Sequence, residues 1–179
     1  PDFVGPPLGN PFSTGWYSVP TMSFLAYGVG MRLFGATVAG ARALSALVGT
    51  AAVLTTYLLA RELWGRRVGW LAALLLAFGH YHLHFSRLAS NQIGDALFVT
   101  LSLWLLVRGL RTGGMGTMAL AGAVMGAAWY GYFGGRLLLL IAGAYLLWRA
   151  LVEPRFVRRQ GRRLVVMALA ALVVAAPLL

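Results

Sequence analysis

The chain has 179 residues, of which 60% are hydrophobic and only 11% charged, and its mean hydropathy is +0.77. A soluble domain carries roughly 25% charged residues, so water is excluded as the solvent for most of this surface. Fifteen basic residues, all arginine, against four acids give a net charge of +11, and the absence of cysteine excludes disulfides, thiolate metal sites and thiol nucleophiles.

So basic a balance would suit a nucleic-acid binder. The arginines, however, sit mostly in short breaks between apolar runs, where they anchor at lipid headgroups and set topology, so the partner they imply is a bilayer and not nucleic acid. Apolar runs of about 20 residues, at roughly 1.5 Å each, match the ~30 Å hydrocarbon layer. The chain begins at Pro1 and ends within the apolar run "LVVMALAALVVAAPLL". It is expected to be a fragment of a longer protein, with any targeting signal upstream.

In chain order, residues 1–20 mix Pro, Gly, Asn, Ser and Thr with aromatics and predict an extramembrane loop, with Trp16 and Tyr17 suited to the interface. Helices are predicted over 20–34, 38–61, 67–86, 93–110, 115–132, 136–152 and 162–179. The small residues of "ALAGAVMGAA" predict close helix packing. The breaks at 61–67, 108–111 and 149–163 hold eleven of the fifteen arginines and alternate with poorer breaks at 35–42, 80–95 and 130–136. The rich breaks are therefore expected in the cytoplasm and the poor ones outside. Residues 20–34 are short, contain Arg32 and follow an aromatic loop, which fits an interfacial helix on the external surface; a short tilted crossing is the alternative. The expected fold is all-α: a multi-pass transmembrane bundle of about six spanning helices plus one interfacial helix. Residues 1–20 would end an external loop, and 20–179 would form one membrane region.

Polar chemistry concentrates in "HYHLHFSRLASNQIGD", residues 80–95. Asp95 stands one turn into an apolar helix, where an ionised carboxylate facing lipid would cost about 2.5–3.5 kcal/mol at mid-membrane depth. A charge favoured by the dipole at a helix N-terminus would explain it, and so would a carboxylate that binds a metal or a polar group of a substrate. His80, His82 and His84 alternate, so on a helix they splay across about 200° and do not share one ion. His84, beside Arg87 in "FSR" and near Asn91, is the one of the three placed to touch a substrate. Arg42 and Arg136 fall on the external side, against the positive-inside trend, where a phosphate or a headgroup would partner a guanidinium. In "WYGYFGGR", Tyr130 and Tyr132 join Arg136 around a tight glycine turn, a set that suits sugar stacking and phosphate binding or an aromatic belt. Glu62 and Glu153 sit among arginines and read as surface ion pairs, and Asp2 has no second acid near it.

The run from "FGATVAGARALSALVGT" through "LARELWGRR", "HFSR" and "NQIGD" to "YGYFGGRLLLL" resembles the glycosyltransferase family 39, or protein O-mannosyltransferase-like, group of the GT-C superfamily, which includes the lipid A aminoarabinose transferase. The likeness covers about residues 12–165. It implies a multi-pass cell-membrane enzyme that takes a sugar from a polyprenyl-phosphate carrier and gives it, with inversion, to an acceptor lipid, glycan or protein on the external face. It also implies that the general base is an aspartate of the first external loop, upstream of Pro1, so these residues alone are expected to be inactive. On the same ground Asp95 matches an auxiliary acidic residue that helps bind a metal or orients the acceptor, and Arg42 and Arg136 match arginines on the side of the lipid phosphate. The residues specify no cofactor, and a divalent metal at Asp95 is the candidate that both the carboxylate and the resemblance raise. The loop before "PP" lacks the acidic or lysine residue that some members carry there. Two rivals predict otherwise: a transporter would need a polar route through segments such as "LLLLIAGAYLLW", and a scaffold would use its arginines only as anchors.

Overall fold

Run length and glycine placement decide where the helices fall. The structure, a computed structural model, describes residues 13–14, 17–20, 22–132 and 134–178. Asp2 and Trp16 lie outside the described residues. Two short strands, β1 (Ser13–Thr14) and β2 (Tyr17–Pro20), pair antiparallel where a loop was expected. They lead into α1 (Met22–Phe34), α2 (Val38–Trp64), α3 (Arg66–Phe78), α4 (His80–Arg87), α5 (Gln92–Thr112), α6 (Met115–Ala127), α7 (Gly134–Val152) and α8 (Phe156–Ala175). The class is the helical membrane bundle that composition predicts.

Three of these helices, α2, α5 and α7, are long and apolar enough to cross a membrane, and α3 with α4 makes a fourth if that bent pair counts as one span. The six expected crossings are thus three or four by length and composition. At about 1.5 Å per residue, the 13 residues of α1 and the 13 of α6 each rise roughly 20 Å, short of the ~30 Å hydrocarbon layer. Helix α8 begins at Phe156, earlier than 162, so the arginines at 158, 159, 162 and 163 are helical and only its later part is apolar.

The predicted helix over 67–86 is broken at Gly79, whose extended backbone (φ −61°, ψ 124°) bends α4 by 58° from α3. The bend lays α4 across α2: His82 Nε2 is 3.2 Å from the Gly49 carbonyl oxygen, and a side chain on Gly49 would collide with Ser86. At the other ends the signals are local. Thr37 Oγ1 accepts the Gly40 N–H (3.1 Å) to start α2, and Gly113, at φ 76°, closes α5 by donating its N–H to the Gly109 carbonyl.

The core lies between α5, α6, α7 and α8, around Leu105, Leu106, Met118, Met125 and Leu138. Small residues let these helices meet. A Cβ on Gly122 or Gly126 would strike the Met167 or Ala171 carbonyl of α8, so the glycines four apart are what allow α6 to lie against it. Thr55 and Thr100 hydrogen-bond across α2 and α5 at 2.5 Å. Outward-facing Leu54, Leu140 and Leu172 stay exposed, as lipid contact requires.

Candidate functional site

Asp95 lies in the first turn of α5 and its partners are backbone groups of another segment. Its Oδ2 accepts the Gly134 N–H at 2.9 Å, and its Oδ1 accepts the Tyr132 N–H at 3.3 Å. Gly134 is the first residue of α7, and the first N–H groups of a helix have no partner within it. The carboxylate therefore caps α7 from α5, where a negative charge also meets the positive end of the α7 dipole. Asp95 therefore stands in the first turn of its own helix and at the entry of a neighbouring one.

Contact this close needs glycine. A Cβ on Gly134 would collide with the Asp95 carboxylate, and one on Gly135 would strike the Ala128 carbonyl. The "GG" pair read as a tight turn instead opens a helix and admits the carboxylate. Just before it, a single 3-10 turn, Ala128–Tyr130, ends α6. There Tyr130 donates its hydroxyl to the Val174 carbonyl of α8 at 2.8 Å. Tyr130 thus ties the loop to α8, and Tyr132 donates its backbone N–H to Asp95.

Beside the carboxylate is a cavity of about 190 Å³ whose wall includes Tyr27, Asn91, Gly94, Phe98, Tyr130 and Gly131. Asp95 Oδ1 stands 3.5 Å from where a Cβ on Gly131 would be. Asp95, Asn91, Tyr130 and Tyr132 are therefore gathered at one end of the bundle, and Arg136 sits exposed in the first turn of α7. Arg42 on α2 and His84 and Arg87 on α4 are exposed and do not line this cavity.

The histidines splay as the spacing predicts. His80 and His84 stack with centroids 6.3 Å apart, while His82 turns toward α2. Among the described residues no three histidine, aspartate or glutamate side chains gather to hold a metal ion. Both Asp95 oxygens accept backbone N–H groups, and among the described residues no cluster of carboxylates or imidazoles forms around it.

One contributor escaped the sequence reading. The Tyr27 hydroxyl is 2.7 Å from Ser45 Oγ and donates to the Ser90 carbonyl at 2.5 Å, which fastens α1 to α2 and to the segment before α5. Nothing local marks Tyr27 or Ser90, because 63 residues separate them.

At the opposite end the carboxylates meet arginines. Glu62 pairs with Arg108 (3.6 Å) and Arg111 (3.3 Å), and Glu153 pairs with Arg149 (2.9 Å), which are the surface ion pairs expected.

Apolar helices closed by a docked carboxylate at one end and by arginines at the other define a multi-span membrane protein. Residues 18–179 match the family described as dolichyl-phosphate-mannose-protein mannosyltransferase, and the chain belongs to that family. An uncharacterized protein of Aquifex aeolicus (strain VF5) is 33% identical over 87 residues, 48% of this chain and 17% of the relative. The match thus spans about a sixth of that protein's length. No solved structure matches the chain.

Proposed function

We propose that the chain forms part of a membrane glycosyltransferase that moves a sugar from a polyprenyl-phosphate donor to an acceptor hydroxyl at the Asp95 end of the bundle, on the external face of the cell membrane. The reading rests on family membership, and the observation that carries it to this end is the Asp95 cap on α7. The acceptor oxygen forms a bond to the anomeric carbon from the side opposite the phosphate, so the sugar inverts. The bond from that carbon to the phosphate oxygen breaks, and its electron pair leaves with the polyprenyl phosphate. The hydroxyl proton passes to a carboxylate base, which the family resemblance assigns to the first external loop.

In this scheme Asp95 is a positioning residue. It holds the entry of α7, with Tyr130 and Tyr132 in the segment before it and Arg136 in its first turn; the reading assigns Arg136, and Arg42 on α2, to the charge that develops on the leaving phosphate. Asn91 belongs to the cavity wall, while His84 and Arg87 are exposed on α4 and do not line it.

The test is sugar transfer from a radiolabelled polyprenyl-phosphate sugar by the full-length protein in membranes, at matched expression. Asp95→Asn puts an NH₂ group against backbone donors, and Arg136→Ala removes the cation. A hydrogen bond to a charged group is worth about 1.5–3 kcal/mol, so each variant is expected to lose about tenfold to a hundredfold in transfer. Full activity in both would remove the site from this end of the bundle.

A further inference from the structure

The arginine-rich end holds a second cavity, of about 790 Å³, between α5, α7 and α8. Four arginines line it, Arg111, Arg149, Arg155 and Arg159, against the single carboxylate of Glu153, so the lining has a net charge of +3. Two of the four are committed elsewhere. Arg111 bonds Glu62, and Arg149 bonds Glu153 and lies 5.1 Å over the Phe156 ring. Arg155 and Arg159 are exposed and, among the described residues, have no ion-pair partner.

Their placement runs against helix electrostatics. Helices α2, α5 and α7 carry Arg61, Arg111 and Arg149 in their last turns, where the dipole favours cations. Helix α8 reverses the order: Arg155 is its N-cap, Arg158 and Arg159 are in its first turn, no acid stands there, and no side chain caps it. Arg155 and Arg159 also stand four apart, where like charges repel. A bound anion would relieve both conflicts at once, by meeting the unpaired guanidiniums and the positive end of the helix.

The surroundings say which anion. Buried Phe156 and Leu110 form part of the cavity wall, and Val152, 60% exposed, forms part of its edge. Next to it on α7, Trp148 and Leu151 are exposed, at the end of a helix able to span the membrane. Cations bordered by lipid-facing apolar surface suit a molecule with both a phosphate and acyl chains. We infer that this cavity holds the phosphodiester headgroup of an anionic phospholipid from the adjoining leaflet, gripped by Arg155 and Arg159.

The test is native mass spectrometry of the full-length protein in detergent with phosphatidylglycerol or phosphatidylcholine of identical acyl chains. The wild type is expected to retain phosphatidylglycerol preferentially. Removing an arginine near the surface should weaken this by about fivefold, so Arg155→Gln with Arg159→Gln should lose roughly 25-fold and fall to the phosphatidylcholine level. Arg162→Gln, on the same helix but outside the cavity lining, should keep the preference. Should the double variant fail to fold, Arg155→Gln alone carries the comparison. Equal retention of the two lipids, a preference that survives the arginine substitutions, or an equal loss in Arg162→Gln would overturn the inference. Displacement of the lipid by glycerol phosphate would do so too, by showing a site for free phosphate.

Discussion

The two ends of this bundle handle carboxylates in opposite ways. At one end Asp95 is bonded by backbone N–H groups of Tyr132 and Gly134, which belong to the entry of α7. At the other, Glu62 and Glu153 are bonded by guanidiniums on long side chains, with Arg108 and Arg111 about half exposed. Backbone donors cannot rotate away, so the first arrangement sets the geometry of a loop. Flexible donors near water can let go, so the second arrangement adds little stability. One end is fixed by backbone donors and the other is held by movable side chains.

Gly134→Ala should have the largest effect on this contrast, because the added Cβ collides with the Asp95 carboxylate and forces it off the helix end. Overpacking of this kind costs about 1–3 kcal/mol, visible as a lower Tm in detergent. If the collision acts by breaking the cap, Gly134→Ala should cost much less when Asp95→Ala is already present. Additive losses would mean that the cap is not what the glycine protects. Tyr130→Phe comes next. It removes one hydroxyl bond to the Val174 carbonyl and should cost about 0.5–1.5 kcal/mol by the same measurement. The smallest change is expected at the arginine end, where Glu62→Gln should shift stability by no more than about 1 kcal/mol and by still less at high salt. A loss at Glu62 as large as that at Gly134 would erase the distinction between the ends.

The fold class and the polarity of the two ends were readable because both are local properties of the chain. An apolar run shows its length and an arginine shows its place without reference to any other segment. The break within 67–86 was less legible: Gly79 is one glycine among many, and only the packing of His82 and Ser86 against Gly49 gives its extended backbone a purpose. The site shows the same division. Asp95 and "YGYFGGR" stood out as polar groups beside apolar runs, but the hydroxyls that seemed available in that loop include one already donated to α8.

By itself the sequence determined that this is an arginine-rich helical membrane protein, with its chemistry-bearing residues between long apolar segments. Only the tertiary structure decided that Asp95 caps a helix beginning 39 residues later, that Tyr27 reaches Ser45 and Ser90, and that arginines of three helices surround one cavity. The physical reason is range. Hydropathy and charge act on each residue wherever it lies, whereas a hydrogen bond or a shared cavity exists only after distant segments have been packed within a few ångströms of each other.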